Sequence, residues 1–263
     1  MVDGWMFLGY KPPVQNVKNI TVLTAFEDNY IYLVESSPGR CFVVDPGEAE
    51  PVFDALENRV GTAPTLTHIL TTHHHADHTG GVAALKQRTG CKVISPDAKR
   101  IAGLDRLVQD GELIKLGDLH IRCIATPGHT TTSMCYFVTG GSLGSGVLFT
   151  GDTLFVCGCG RLFECSGQTM FESLQKLAAL PDKTLVYPGH DYTEENVRFA
   201  ITLEPDNKPL QKKLSEVQTQ NQRGHGPPYK VGSMLGEEKR INPFLRAKDW
   251  QAFTSLRRKK DLF

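Results

Sequence analysis

Thr67-His68-Ile69-Leu70-Thr71-Thr72-His73-His74-His75-Ala76-Asp77-His78 is the stretch on which the reading of this chain turns. Thr67–Thr72 is short, β-branched and apolar at its middle, which predicts a strand. It runs straight into His-x-His-x-Asp-His. Imidazole suits zinc, iron and similar ions, and a carboxylate adds charge neutralisation. On an extended segment, alternation sends His73, His75 and Asp77 to one side. A turn at Asp77-His78 then lets these two face a second ion. His74 points the other way, toward packing or an outer hydrogen bond. An expression tag does not explain the run, because tags sit at termini and carry no spaced carboxylate.

Three further segments share one form: an apolar strand, a tight turn, then a single candidate ligand. They are Ile121–Ala125 with Thr126-Pro127-Gly128-His129, Val147–Thr150 with Gly151-Asp152, and Leu185–Tyr187 with Pro188-Gly189-His190. Strand ends carry chemistry because a rigid scaffold aims them. Each alone reads equally well as a turn residue; four together read as one site.

Around these segments, short apolar runs alternate with turn signals. Strands are expected at Ile20–Thr24, Tyr30–Glu35, Cys41–Asp45, Cys91–Ser95, Leu119–Ala125, Ser133–Val138, Gly146–Thr150 and Thr184–Tyr187. Helices are expected at Val52–Val60, Val82–Thr89 and Met170–Leu180. This mixture predicts an α/β layered domain, two sheets with helices outside. From about Tyr192 the pattern becomes helical, at Glu194–Leu203, Pro209–Gln222 and Trp250–Lys260, with a Gly/Pro loop at Arg223–Pro228.

At 263 residues the chain is long enough to bury a sizeable core without staples. Lys+Arg 29 balances Asp+Glu 29, so no basic field for nucleic acid exists. No run of about 18 apolar residues predicts a membrane span. Met1–Lys11 has neither a basic nor an apolar signal region, so a cytoplasmic protein is expected. Seven cysteines, several in apolar runs, read as buried reduced thiols. Cys157-Gly158-Cys159 lacks a second pair and reads as a structural loop.

In their order and spacing, His73-x-His75-x-Asp77-His78, Pro127-Gly128-His129, Gly151-Asp152 and Gly189-His190 resemble the metallo-β-lactamase superfamily. Within it the sequence is most similar to the hydroxyacylglutathione hydrolases (glyoxalase II). Glu27–Tyr30, Phe155–Arg161, Pro188–Thr193 and Asn242–Arg246 add to the likeness, which runs from about Ile20 to Phe263. Met1–Lys18 has no recognised counterpart. The resemblance implies a four-layer αββα sandwich over residues 1–191, with 1–18 an unassigned extension. A smaller helical substrate-binding domain over 192–263 follows. It implies two metal ions. His73, His75 and His129 would hold one, Asp77, His78 and His190 the other, and Asp152 would bridge them. Zinc is the expected metal, and iron or manganese fits the same donors.

The implied reaction is hydrolysis of S-D-lactoylglutathione and other 2-hydroxyacylglutathiones to glutathione and D-lactate (or the matching 2-hydroxy acid), the second step of methylglyoxal detoxification. Two close cations would acidify a shared water, and the bridging hydroxide would attack the thioester carbonyl. Asp77 reads as a ligand rather than a base. Arg257 and Lys260, at i and i+3 in a terminal helix, match the family's receptor for the glycine carboxylate. Arg161 and Tyr192 match further substrate contacts. Phe163 stands where some members have Tyr, and Cys165 where Gly is usual. His68, His120 and His225 match nothing. A monomer is expected, with a glutathione thioester as its only partner and neither nucleic acid nor membrane. The rival reading is a mononuclear-iron glutathione persulfide dioxygenase, which generally lacks the long C-terminal helical segment. A binding module without activity would be expected to have lost ligands, yet all seven are present.

Overall fold

The computed structural model describes residues 15–17, 19–58, 63–222 and 231–263. The N-terminal residues 1–14, Lys18, Val60 at the expected helix end, and the Gly/Pro loop Arg223–Pro228 with His225 lie outside the described residues.

Seven strands form one sheet in chain order: β1 (Gln15–Val17), β2 (Ile20–Ala25), β3 (Asn29–Ser37), β4 (Arg40–Val44), β5 (Thr65–Leu70), β6 (Lys92–Ser95) and β7 (Arg106–Leu107). The second sheet uses β8 (Leu113–Leu116), β9 (Leu119–Ala125), β10 (Met134–Gly140) and β11 (Val147–Gly151). A hairpin of β12 (Leu154–Phe155) and β13 (Gly158–Cys159) leaves it. The sheet resumes at β14 (Leu185–Pro188) and closes with β15 (Ser233–Met234), in the order β15-β14-β11-β10-β9-β8.

Alternation explains why the sheets stack. In β3, Tyr30, Tyr32 and Val34 enter the inter-sheet core, while Ile31 and Leu33 face outward yet are equally buried. In β11, Val147 and Phe149 meet that core and Leu148 faces the other way. Strands apolar on both faces need a cover on each side. Helices α1 (Glu50–Glu57) and α3 (Val82–Thr89) cover the first sheet through Val52, Phe53, Leu56, Val82 and Leu85. Helix α4 (Gly167–Ala178) covers the second through Met170, Leu174 and Leu177. The result is the expected αββα layering. Between α1 and α3, one helical turn, α2 (Ala76–Thr79), follows β5.

The C-terminal part holds α5 (Thr193–Leu203), α6 (Lys208–Gln222), α7 (Leu235–Ile241) and α8 (Trp250–Asp261). Asp249 caps α8, accepting the Ala252 N–H at 2.8 Å. Phe199 of α5, Phe244 and Phe253 of α8 join the core that α4 makes with the second sheet. The region is not purely helical: Ser233 and Met234 pair with Val186 and Leu185 of β14. A two-residue strand carries too little pattern to be read in a sequence.

Candidate metal centre

Four strands of the sandwich end at one edge, and each delivers a donor. β5 leads through Thr71 and Thr72 to His73; β9 leads to His129; β11 leads to Asp152; β14 leads to His190. Beyond His75 the backbone turns helical, so α2, not strand alternation, aims Asp77 and His78. Gly47 makes room for this turn, since a Cβ there would lie 1.9 Å from the Asp77 carbonyl oxygen.

Two groups of ring nitrogens and carboxylates result. In the first, His75 Nδ1 lies 3.1 Å from both His73 Nε2 and His129 Nε2. In the second, His78 Nε2 lies 3.1 Å from His190 Nε2, and Asp77 Oδ2 is 3.3 Å from each. Asp152 faces both: Oδ2 is 3.3 Å from His129 Nε2 and 3.4 Å from His190 Nε2, while Oδ1 is 3.3 Å from His78 Nε2. All of these atoms point at one another with no donor hydrogen suited to most pairs.

Outer partners fix the rings. Asp45 Oδ2 meets His78 Nδ1 at 3.1 Å and also accepts from Thr72 Oγ1 at 2.7 Å. Thr72 Oγ1 lies 3.0 Å from His73 Nδ1. Asp28 Oδ1 meets His190 Nδ1 at 2.7 Å, and the Arg161 carbonyl meets His129 Nδ1 at 2.9 Å. Asn29 Nδ2 donates to Asp77 Oδ2 at 2.9 Å. Such contacts set tautomer and orientation in metal-ligating histidines. Asp45, Asp28, Asn29 and Thr72 carry no role in the sequence reading. Asp45 stands there only as the last residue of an expected strand, although its left-handed φ of 50° marks a special position.

The electrostatics differ between the groups. Burial pushes His73 and His129 down, toward neutral imidazole. Burial also opposes charge on His190 and His78, but there the carboxylates win. Asp152, Asp28 and Asp77 push His190 up to about 12, and Asp152, Asp45 and Asp77 raise His78. Burial would raise Asp152, yet His78 and His190 hold it well below the usual carboxylate range. The carboxylates thus call for positive charge beside them. Asp152 Oδ1 is buried without a hydrogen-bond partner. An orphaned carboxylate oxygen facing nitrogen donors fits cations. The donor sets His73/His75/His129 and Asp77/His78/His190 each gather within 4.8 Å.

His74 turns out of this cluster. Its Nε2 accepts from Arg100 Nη1 at 3.1 Å. Arg100 also binds Asp97 Oδ2 at 2.5 Å, Glu164 Oε1 at 2.6 Å and Thr132 Oγ1 at 3.1 Å. It therefore ties the His73–His75 loop to the segment that carries Phe163. Burial would raise Asp97, but the backbone N–H groups of Lys99 and Arg100 and the Arg100 side chain bring it to about 2. The Thr131 N–H and Arg100 bring Glu164 to about 2 as well. Lowered carboxylates stabilise the fold above their unfolded pKa and cease to do so as acid protonates them. Arg100→Ala is therefore expected to flatten the fall of Tm between about pH 5 and pH 2. Calorimetry at stepped pH checks this; parallel curves for wild type and variant would refute it.

Beside the metal donors opens a cavity of about 360 Å³, lined by His129 and Asp152 at one end and by Arg257 and Lys260 at the other. Tyr192 stacks on His190 at 4.9 Å, and burial pushes its hydroxyl up to about 12, so it remains a donor. The Phe163 ring stands edge-on to His129 at 5.1 Å and to His75 at 5.8 Å. Arg161 lines the cavity with its side chain 67% exposed. Arg257 donates to the Cys159 carbonyl at 2.6 Å and pairs with Asp261 at 2.9 Å; Lys260 pairs with Glu195. The five expected substrate residues thus line one cavity. Glu195 and Asn196, which the sequence reading does not single out, line it too. Cys165 lies outside that lining, half-buried, its thiol raised by burial.

Residues 25–190 match the metallo-beta-lactamase superfamily, and residues 191–263 match the hydroxyacylglutathione hydrolase C-terminus. A hydroxyacylglutathione hydrolase of Rhodospirillum rubrum is 47% identical over 232 residues, covering 87% of each chain. The chain belongs to the hydroxyacylglutathione hydrolase family. It is an enzyme, a hydrolase with the metallo-β-lactamase fold. A second hydroxyacylglutathione hydrolase, of Photobacterium profundum, is 41% identical over 258 residues, 92% of this chain and 98% of its own. Among solved structures, ETHE1 from Myxococcus xanthus superposes with a TM-score of 0.64 at 29% identity, covering 89% of this chain and 90% of its own. The C-terminal match places the cavity's Tyr192, Arg257 and Lys260 in the part that hydroxyacylglutathione hydrolases carry in addition to the sandwich.

Proposed function

We propose that this enzyme hydrolyses 2-hydroxyacyl thioesters of glutathione, S-D-lactoylglutathione among them, releasing glutathione and the 2-hydroxy acid. The observation that carries the reading is the single cavity whose lining holds the donors His129 and Asp152 together with a pair of buried cations, Arg257 and Lys260. A thioester of an acidic peptide needs both ends: electrophilic activation at the carbonyl and cationic donors for the peptide carboxylate. The hydroxyacylglutathione hydrolase C-terminus over residues 191–263 favours this over the persulfide dioxygenase alternative.

The residues that would hold two cations are His73, His75 and His129, then Asp77, His78 and His190, with Asp152 between them. Zinc suits this nitrogen-rich set, as do iron and manganese. When bound, the cations supply a water acidic enough to serve as nucleophile near neutral pH and a Lewis acid for the carbonyl. The chain's own groups do the rest. Asp45, Asp28 and Thr72 keep the imidazoles aimed. Tyr192 donates a hydrogen bond to the bound peptide, and Arg161, Arg257 and Lys260 meet its carboxylates. Phe163 shields the His75/His129 side from solvent. A thiolate is a fair leaving group, since a free cysteine thiol has a pKa of about 8.5, so no general acid is assigned. The seven cysteines form no disulfide and six of them are buried, which suits a reducing compartment and supports the cytoplasm. All seven donors come from one chain, which supports a monomer as the working unit.

Steady-state hydrolysis of S-D-lactoylglutathione by metal-replete protein tests the reading. Rapid, chelator-sensitive loss of the thioester absorbance is expected; no turnover by a metal-loaded sample would sink it. Lys260→Ala is expected to raise KM roughly tenfold, the worth of one charge-assisted hydrogen bond, with kcat within a few-fold. The double change with Arg257→Ala should raise KM further. A kcat collapse at unchanged KM would remove both residues from substrate binding.

A further inference from the structure

Lys260 is a buried cation, 7% exposed, on the wall of the substrate cavity. Its ammonium lies 5.7 Å from the Phe199 ring centroid and 5.1 Å from that of Phe263. Its carboxylate partner is Glu195, which reaches across from the first turn of α5 and itself lines the cavity. Arg257 differs. Its carboxylate, Asp261, sits one turn on in the same helix, and the Cys159 carbonyl anchors its other arm. The Arg257 pair is therefore built into α8, whereas the Lys260 pair spans two elements and both its members line the cavity. The Glu195 side chain is 61% exposed, so it can move into water once another carboxylate takes its place on Lys260.

A buried ammonium shared by two carboxylates brings like charges together, which costs affinity for the second. We propose that Glu195 is a specificity-determining residue: it occupies Lys260 in the free enzyme, and the carboxylate of an acidic thioester has to displace it. This rests on the reading of Lys260 as a carboxylate receptor. Glu195 thereby lowers the enzyme's preference for a carboxylated substrate over a neutral one and lets the equally carboxylated product, glutathione, leave.

The test compares Glu195→Gln with wild type on two substrates, S-D-lactoylglutathione and the same thioester with its glycine carboxylate esterified. Glutamine keeps the size and removes the competing charge. KM for the acid is expected to fall several-fold in the variant, and the inhibition constant of glutathione to fall with it. KM for the ester should be unchanged. An acid KM that rises or stays level in the variant would overturn the proposal, because Glu195 would then hold Lys260 in place rather than mask it. A Glu195→Gln KM equal for acid and ester would instead show that Lys260 receives no carboxylate even when unmasked, and the underlying reading would fall first.

Discussion

Asp152→Asn is expected to abolish turnover and to strip the protein of metal while leaving it folded. The side chain keeps its size, but it loses the charge that faces three imidazole nitrogens within 3.4 Å, on His78, His129 and His190. Those nitrogens belong to both donor groups, so neither cation site survives the change intact. Removing an outer partner of a metal ligand typically costs 10- to 100-fold in metal affinity or activity. A donor shared by two sites should cost more, roughly 10³-fold or greater in kcat/KM. Asp152 follows β11 in a tight turn at the edge of the core, and the amide can stay in the same turn, so the circular dichroism spectrum should not move. Metal analysis after dialysis is the decisive readout. Two equivalents of metal and activity within tenfold of wild type would show that Asp152 bridges nothing.

The donors themselves are legible because each breaks a local rule in the same way. His73, His129, Asp152 and His190 each follow the end of an apolar strand within one to four residues, and four such ends cannot all be turn punctuation. The layering is legible from β3, β4 and β11, which are apolar on both faces and so demand covers on both sides. What lies beyond local pattern is less so. Alternation predicts that His73 and His75 share a side, and they converge although β5 has already ended at Leu70; the helical turn at Ala76 decides where Asp77 and His78 point. That turn depends on Gly47, thirty residues earlier, letting the Asp77 carbonyl approach. Asp45 reaches His78, and Asp28 reaches His190 across 162 positions. An aspartate in a turn looks the same whether it caps a strand or steers a ligand. Only the close pairing of chain segments separates the two. Here the Tyr30 N–H bonds to the Gly189 carbonyl at 2.8 Å, and the Asp191 N–H to the Asp28 carbonyl at 2.9 Å.

Gly189→Ala is the second change with a large expected effect, and it acts through that same close pairing. Gly189 is the residue just before His190. A Cβ built on it would lie 2.5 Å from Asp152 Oδ1, 2.7 Å from His78 Cε1 and 3.1 Å from the Gly151 carbonyl carbon. One methyl group would therefore intrude between the Asp152 carboxylate and the His78 ring. None of these neighbours can yield freely. Gly151 and Gly189 are joined backbone to backbone, Gly189 N to Gly151 O at 2.9 Å, and His78 is held from behind by Asp45. The strain has to be relieved by moving Asp152 or the His78 ring, by something near the ångström that costs a positioned catalytic group about 10²-fold. The expected result is a loss of roughly 10²-fold or more in kcat/KM with weaker metal retention. Thermal stability should fall less than for a core truncation, since no apolar contact is removed. Gly160→Ala, whose Cβ would lie 2.0 Å from the Asp152 backbone carbonyl oxygen and 3.0 Å from His129 Nδ1, offers an independent approach to the same residue from its backbone side and should behave alike. If both alanine variants kept wild-type turnover and two metals, the packing around Asp152 would not be what limits the site. Gly189 and Gly160 would then serve the backbone alone.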